Sequence, residues 1–189
     1  MKALIVVDVQ NDFCSDGALA VNDGELIIDT VNELVRRFEL EDMPIIFTRD
    51  WHPANHISFR DYGGIWPVHC VAGTKGAEIH QNIYFPSVSI LVSKASLPES
   101  EAYSGFQGTG LASTLHDLGV EHLVVAGLAT DYCVKNTVID ALTLGFSVDV
   151  VLEGVRAVNV NPNDGQVALD EMQTRGARML HFSDLSVNL

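Results

Sequence analysis

Positive charge is scarce in this 189-residue chain. Eleven lysines and arginines stand against 25 aspartates and glutamates, for a net charge of −14 at pH 7. Such a chain repels phosphate, which argues against nucleic acid as a partner. Cysteine is sparse too. The three present, Cys14, Cys70 and Cys133, are odd in number and show no disulfide spacing. That usage fits a reducing, cytoplasmic compartment. Long apolar runs are missing: no stretch reaches the roughly 20 residues a membrane-spanning helix needs. The first apolar run, 3–7, is cut by Asp8, too early for a secretory signal. Repeats, low-complexity tracts and linkers are absent. What remains is a 47% hydrophobic chain of one-domain length, able to bury about 70% of its unfolded surface.

The pattern is one of alternation. Short apolar runs at 3–7, 44–48, 88–92, 122–127, 147–152 and 178–181 have the length and β-branched content of buried strands. Helical spacing follows Asp23 through Leu26, Ile27, Val31, Leu34, Val35 and Phe38. It recurs over 111–118, closed by Gly119, and again after Cys133. A last helix is predicted from Pro162, in its first turn, to Arg175. Strands alternating with helices predict a single α/β domain over 1–189, an open six-stranded parallel sheet with helices on both faces. Between about 50 and 83 periodicity is weak, and a loop that long in a compact domain is usually functional.

Chemistry collects at the strand ends, where such sheets bind ligands. Asp8, Asp50, Lys94 and Cys133 each stand at or just beyond the end of an apolar run. A carboxylate, an ammonium and a thiol together make a base, a charge stabiliser and a nucleophile. Cys133 lies where a strand stops and a helix begins. The helix dipole and free N–H groups there favour a thiolate and can hold an oxyanion. A lone cysteine is also an ordinary small buried residue.

The loop carries a second constellation. Asp50 and His52 alternate by two, so in extended chain they face one way. With His69 they form a donor set suited to a divalent transition metal. His56 is either a further ligand or a group behind the ligands, and Cys70 either a soft ligand or core. Phe13 and Trp66 are either pocket walls for a flat ring or ordinary packing. His80, His116, His122 and His181 read as structural or solvated.

Asp8-Val9-Gln10-Asn11-Asp12-Phe13 resembles the opening motif of the isochorismatase-like cysteine hydrolases. Asp50-Trp51-His52-Pro53, Asn55-His56, Trp66-Pro67-Val68-His69-Cys70, Lys94, Tyr103-Ser104-Gly105-Phe106 and Gly127-Leu128-Ala129-Thr130-Asp131-Tyr132-Cys133 follow in order. Together they resemble the nicotinamidase, or pyrazinamidase, branch. The resemblance implies a catalytic triad of Asp8, Lys94 and Cys133. It implies one divalent metal (zinc first, or iron or manganese) on Asp50, His52 and His69. It implies an oxyanion hole from the N–H groups of Ala129 and Cys133, and a cis Leu128–Ala129 peptide. Phe13, Trp66 and Tyr103 would bind the substrate, nicotinamide, with pyrazinamide accepted as well. Single chains and homo-oligomers both fit that family.

Three other readings compete. A carbamoyl or ureide amidase on the same scaffold would keep the triad but not need the metal trio. A phosphatase with an Asp nucleophile usually carries a second Asp two positions on, where this chain has Gln10. A non-enzymatic metal or thiol module explains neither Lys94 nor the aromatic pair.

Overall fold

The strands form because their side chains are apolar on both faces. In β1 (Lys2–Val7) residues Ala3 to Val7 are fully buried. Leu4 and Val6 join one core and Ala3, Ile5 and Val7 the other, following the two-residue period of a strand. β2 (Ile45–Asp50), β3 (Ile90–Lys94), β4 (His122–Leu128), β5 (Ser147–Arg156) and β6 (Arg178–Leu180) complete one parallel sheet, in the order β3-β2-β1-β4-β5-β6. This computed structural model describes residues 1–185. Among them no helix is long and apolar enough to cross a membrane.

Helix α1 (Ile28–Leu40) covers one face through Val31, Leu34, Val35 and Phe38. Loop residues Phe13, Cys14, Val21, Cys70, Ala77 and Ile83 complete that core. Helices α2 (Leu111–Asp117), α3 (Lys135–Thr143) and α4 (Asp164–Thr174) cover the other face, with Leu115, Val138 and Met172 turned inward.

The chain leaves β1 for β2 on one side and returns from β3 to β4 on the other. The carboxyl ends of β1 and β4 therefore flank the crevice where the order reverses, the usual ligand position of such sheets. Gly127 makes this junction. It pairs with Val7 at φ +127°, and a Cβ there would lie 2.1 Å from the Val7 carbonyl oxygen.

Several boundaries differ from those the sequence predicts. β3 begins at Ile90, two residues late, because Ser89 N–H turns back to the Pro86 carbonyl. β2 and β3 run on to Asp50 and Lys94, so these polar residues close the ladder rather than follow it. β5 continues to Arg156 past a shift in its register with β4. α4 starts at Asp164, leaving Pro162 outside, because Asn159 Oδ1 accepts the Gly165 N–H and Asn163 is left-handed. Between β4 and α3 the chain makes a π turn, Thr130–Val134, in which Cys133 sits.

The long segment after β2 contains only short turns, yet it is well anchored. His52 and Cys70–Ala72 exchange backbone hydrogen bonds, as do Ser58, Arg60 and Trp66. These bonds return His69 to the side of His52.

Candidate active site

Lys94 is the centre of the site. Its ammonium is fully buried and stands 2.9 Å from Asp8 Oδ2, 2.5 Å from Asp50 Oδ1, 3.1 Å from the Ala102 carbonyl and 3.4 Å from Cys133 Sγ. Burial alone would favour the neutral amine, but Asp50, Asp8 and Cys133 hold its pKa well above the ordinary lysine value. A permanent cation therefore sits between two carboxylates and a thiol. The sheet register explains the arrangement: Asp50 opposes Lys94 on the last rung of β2–β3, and Asp8 follows the end of β1 beside them.

Asp8 takes a left-handed conformation (φ 47°), tolerated by short polar side chains. Its Oδ1 accepts a hydrogen bond from Thr48 Oγ1 at 2.6 Å. Its buried Oδ2 has the ammonium near but no donor aligned on it, which leaves a lone pair for a proton. Burial raises the Asp8 carboxyl above the usual carboxylate range; Lys94 offsets part of this, and the Asp50 charge adds to it. This strengthens Asp8 as a base.

Cys133 is 6% exposed, with Sγ within 4.8 Å of carboxylate oxygens of Asp8 and Asp50. Its thiol does not follow the depressed pKa its place near a helix start predicts. Burial pushes it well above the ordinary value; Lys94 pulls it down, but the charges of Asp8 and Asp50 add to the burial. The resting thiol keeps its proton and needs the adjacent base.

On the far side of Asp50 lie the imidazoles. His52 Nδ1 pairs with the Ala95 carbonyl at 3.1 Å and His69 Nδ1 with the Pro67 carbonyl at 2.8 Å. Each contact makes Nδ1 the protonated nitrogen and leaves an Nε2 lone pair free, the arrangement of a metal-binding histidine. His52 Nε2 is 3.5 Å from Asp50 Oδ2. One donor atom from each of Asp50, His52 and His69 falls within a common 4.8 Å. Burial keeps His69 below its ordinary pKa and hence neutral, as a ligand must be. Burial opposes protonation of His52, but Asp50 and the Ala95 carbonyl raise its pKa above the ordinary value. A buried carboxylate and two imidazoles are a donor set that fits zinc, iron or manganese.

His56 lies outside this donor set. Its Nδ1 accepts from Ser58, its Nε2 faces the Ser100 carbonyl, and its ring stacks on His52 at 4.2 Å. It packs behind the His52 ring. Cys70 is core: fully buried, and also outside the set. His80, His122 and His181 pair with Glu25, Asp149 and Glu153, and His116 stacks on Phe146.

A cleft of about 360 Å³, its open mouth included, rises above Cys133. Phe13, Trp66, Tyr103 and Ala129 line it, with Asp50 and His69 on the imidazole side. Trp66 Nε1 donates to the Tyr103 hydroxyl at 2.9 Å. Leu19, Val21, Tyr132 and Val158 also line it and are not evident from the sequence. Tyr132 adjoins Cys133 and carries a local signal; the other three arrive from distant loops. Ala129 follows a cis Leu128–Ala129 peptide, and its carbonyl accepts the N–H groups of Tyr132 and Val134.

An isochorismatase domain model matches residues 2–183. The nicotinamidase of Escherichia coli (strain K12) is 39% identical, over 97% of this chain and 96% of its own. The pyrazinamidase of Pyrococcus horikoshii, solved in complex with zinc, is 47% identical, with a TM-score of 0.92 over 95% of this chain and 98% of that one. PnC1 from L. infantum, solved in complex with nicotinate, is 33% identical, with a TM-score of 0.92 over 98% and 95%. With its parallel sheet, its buried Asp8–Lys94–Cys133 cluster and these full-length matches, this chain belongs to the isochorismatase family.

Proposed function

We propose that this chain is a nicotinamidase. It hydrolyses the carboxamide of nicotinamide to nicotinate and ammonia, and accepts pyrazinamide. The observation that carries the reading is the placement of Cys133 Sγ, 3.4 Å from Lys94 Nζ, under an aromatic cleft with three metal donors on one side. The names of the E. coli and P. horikoshii relatives support it. An aromatic cleft suits a flat pyridine or pyrazine ring.

The ring lies between Phe13 and Trp66, with Tyr103 beside it. A divalent metal, zinc first, would be held by Asp50, His52 and His69 and would supply Lewis-acid chemistry on that side of the cleft. Asp8 Oδ2 takes the Cys133 proton as Sγ attacks the amide carbon. The N–H groups of Ala129 and Cys133 hold the oxyanion, an effect worth about 3–4 kcal/mol for a single donor. Asp8 returns its proton to the leaving nitrogen, and ammonia departs. A water then gives a proton to Asp8 as its oxygen attacks the thioester. Collapse expels the sulfur, which takes the proton back from Asp8 to restore the Cys133 thiol. The acid leaves as nicotinate, its carboxyl proton passing to solvent or to the ammonia. Lys94 stays charged throughout and offsets the negative charge that passes between Asp8 and sulfur. In the cytoplasm this reaction recycles nicotinamide towards NAD.

Acid-quenched turnover tests the reading. A nicotinoyl adduct on the peptide containing Cys133, with ammonia release from nicotinamide but not from a ureide, is the expected result. Release from a ureide alone moves the protein to the carbamoyl-amidase branch.

A further inference from the structure

Gln10 is fully buried and takes no part in the cleft wall. Its side chain still makes three hydrogen bonds. Nε2 donates to the carbonyls of Asp50 (2.8 Å) and Ala77 (2.9 Å), and Oε1 accepts the Asp50 N–H (2.8 Å). Both amide hydrogens are used.

The end of the sheet shows what these bonds replace. β1 pairs with β2 as far as Val6↔Phe47, and the Asp8 N–H reaches the Thr48 carbonyl. There the left-handed backbone of Asp8 turns the chain out of the sheet. β2 runs on to Asp50, and among the described residues no strand pairs with it on that edge. The Gln10 amide takes the place of a peptide group and meets both backbone polar groups of Asp50. On the other edge Asp50 opposes Lys94. Its backbone is fixed from both sides, and its carboxylate can serve Lys94 with one oxygen and the imidazole side with the other.

We propose that Gln10 is a positioning residue for the metal donor Asp50, and through Ala77 ties that donor to the loop that carries His69. This rests on the reading of Asp50, His52 and His69 as the metal site. Asp12 acts in parallel: its Oδ2 accepts the N–H of Cys70, the neighbour of His69, at 2.7 Å. The segment 10–12 thereby sets the spacing of the donors before any metal binds.

Gln10→Met keeps the bulk and removes all three bonds. Zn²⁺ dissociation constants, measured against a competing chromophoric chelator, are compared for wild type, Gln10→Met and His69→Ala, with the Tm of each apo protein. Loss of an outer contact to a metal ligand typically costs about 10–100-fold in affinity. Gln10→Met should weaken Zn²⁺ by that factor and alter the ligand-field spectrum of the Co²⁺-loaded protein. A lowered Tm with Zn²⁺ affinity and Co²⁺ spectrum unchanged would make Gln10 a fold residue only and overturn the proposal. If Gln10→Met does not fold, Gln10→Glu, which still accepts from the Asp50 N–H, is judged by the same two outcomes. His69→Ala separates the readings. If it binds Zn²⁺ as wild type does, the metal site is misassigned and the proposal falls with it. If it loses Zn²⁺ and Gln10→Met does not, the Gln10 assignment alone falls.

Discussion

Asp50 and Lys94 face each other on the last rung of β2–β3, and this one pair joins the Cys133 thiol to the His52 imidazole. Lys94 reaches Asp8 and Cys133 on one side; Asp50 reaches His52 on the other. Removing the cation leaves two buried carboxylates unpaired, a change that costs about 3–5 kcal/mol when a buried pair is broken. Lys94→Met should therefore lose turnover and several kcal/mol of stability together, read by urea unfolding and ammonia release.

Cys133 and Asp8 should separate by kinetics. If Cys133 is the nucleophile as proposed, Cys133→Ala should abolish turnover and leave Zn²⁺ bound, because Sγ lies outside the proposed donor set of Asp50, His52 and His69. Asp8→Asn keeps the shape but not the base. General acid–base catalysis contributes about 100–10,000-fold, so kcat should fall by that order. KM should change little, because Asp8 lies outside the cleft lining.

Asp131 ties the turn that carries Cys133 to the cleft wall. Its two carboxylate oxygens accept the N–H groups of Val158 (2.9 Å) and Asn159 (2.8 Å), and Val158 lines the cleft. Asp131→Ala frees that segment. The expected result is a larger rise in KM for nicotinamide than fall in kcat, measured by steady-state ammonia release.

Asp149, buried on β5, holds His122 of β4 at 2.7 Å and Arg178 of β6 at 2.6 and 2.8 Å. Burial opposes its ionisation, but His122 and Arg178 more than offset this and lower its pKa below the ordinary value. The native carboxylate therefore binds a proton less readily than the unfolded one. Its contribution is complete above the unfolded pKa of about 4 and fades as pH falls through the lower native value. Arg178 is largely exposed, so the effect is modest, about 1 kcal/mol. Asp149→Asn should lower stability at pH 7, and the gap from wild type should narrow below pH 4 in denaturant titrations.

Much of this was legible in the sequence because it depends on short-range pattern. Apolar runs mark the strands, and a polar residue at the end of each marks the rim where Asp8, Asp50, Lys94 and Cys133 meet. The alternation of Asp50 and His52 likewise survives in space. Gln10, Thr48 and Asp12 carry no such mark. Their partners lie 40 to 67 residues away, and only the sheet end and the returning loop bring them together. The thiol of Cys133 shows the limit most plainly. A helix start argues for a low pKa, but burial and two carboxylates outweigh it, and neither is visible until the chain folds. The late start of β3 has a similar cause, a turn at Ser89 inside an apolar run.

The most direct test of the account is ammonia release from nicotinamide by the purified protein as isolated, after complete chelation, and after Zn²⁺ is restored. The account predicts release that is lost with the metal and recovered with it. Release that continues unchanged in metal-free protein would contradict it.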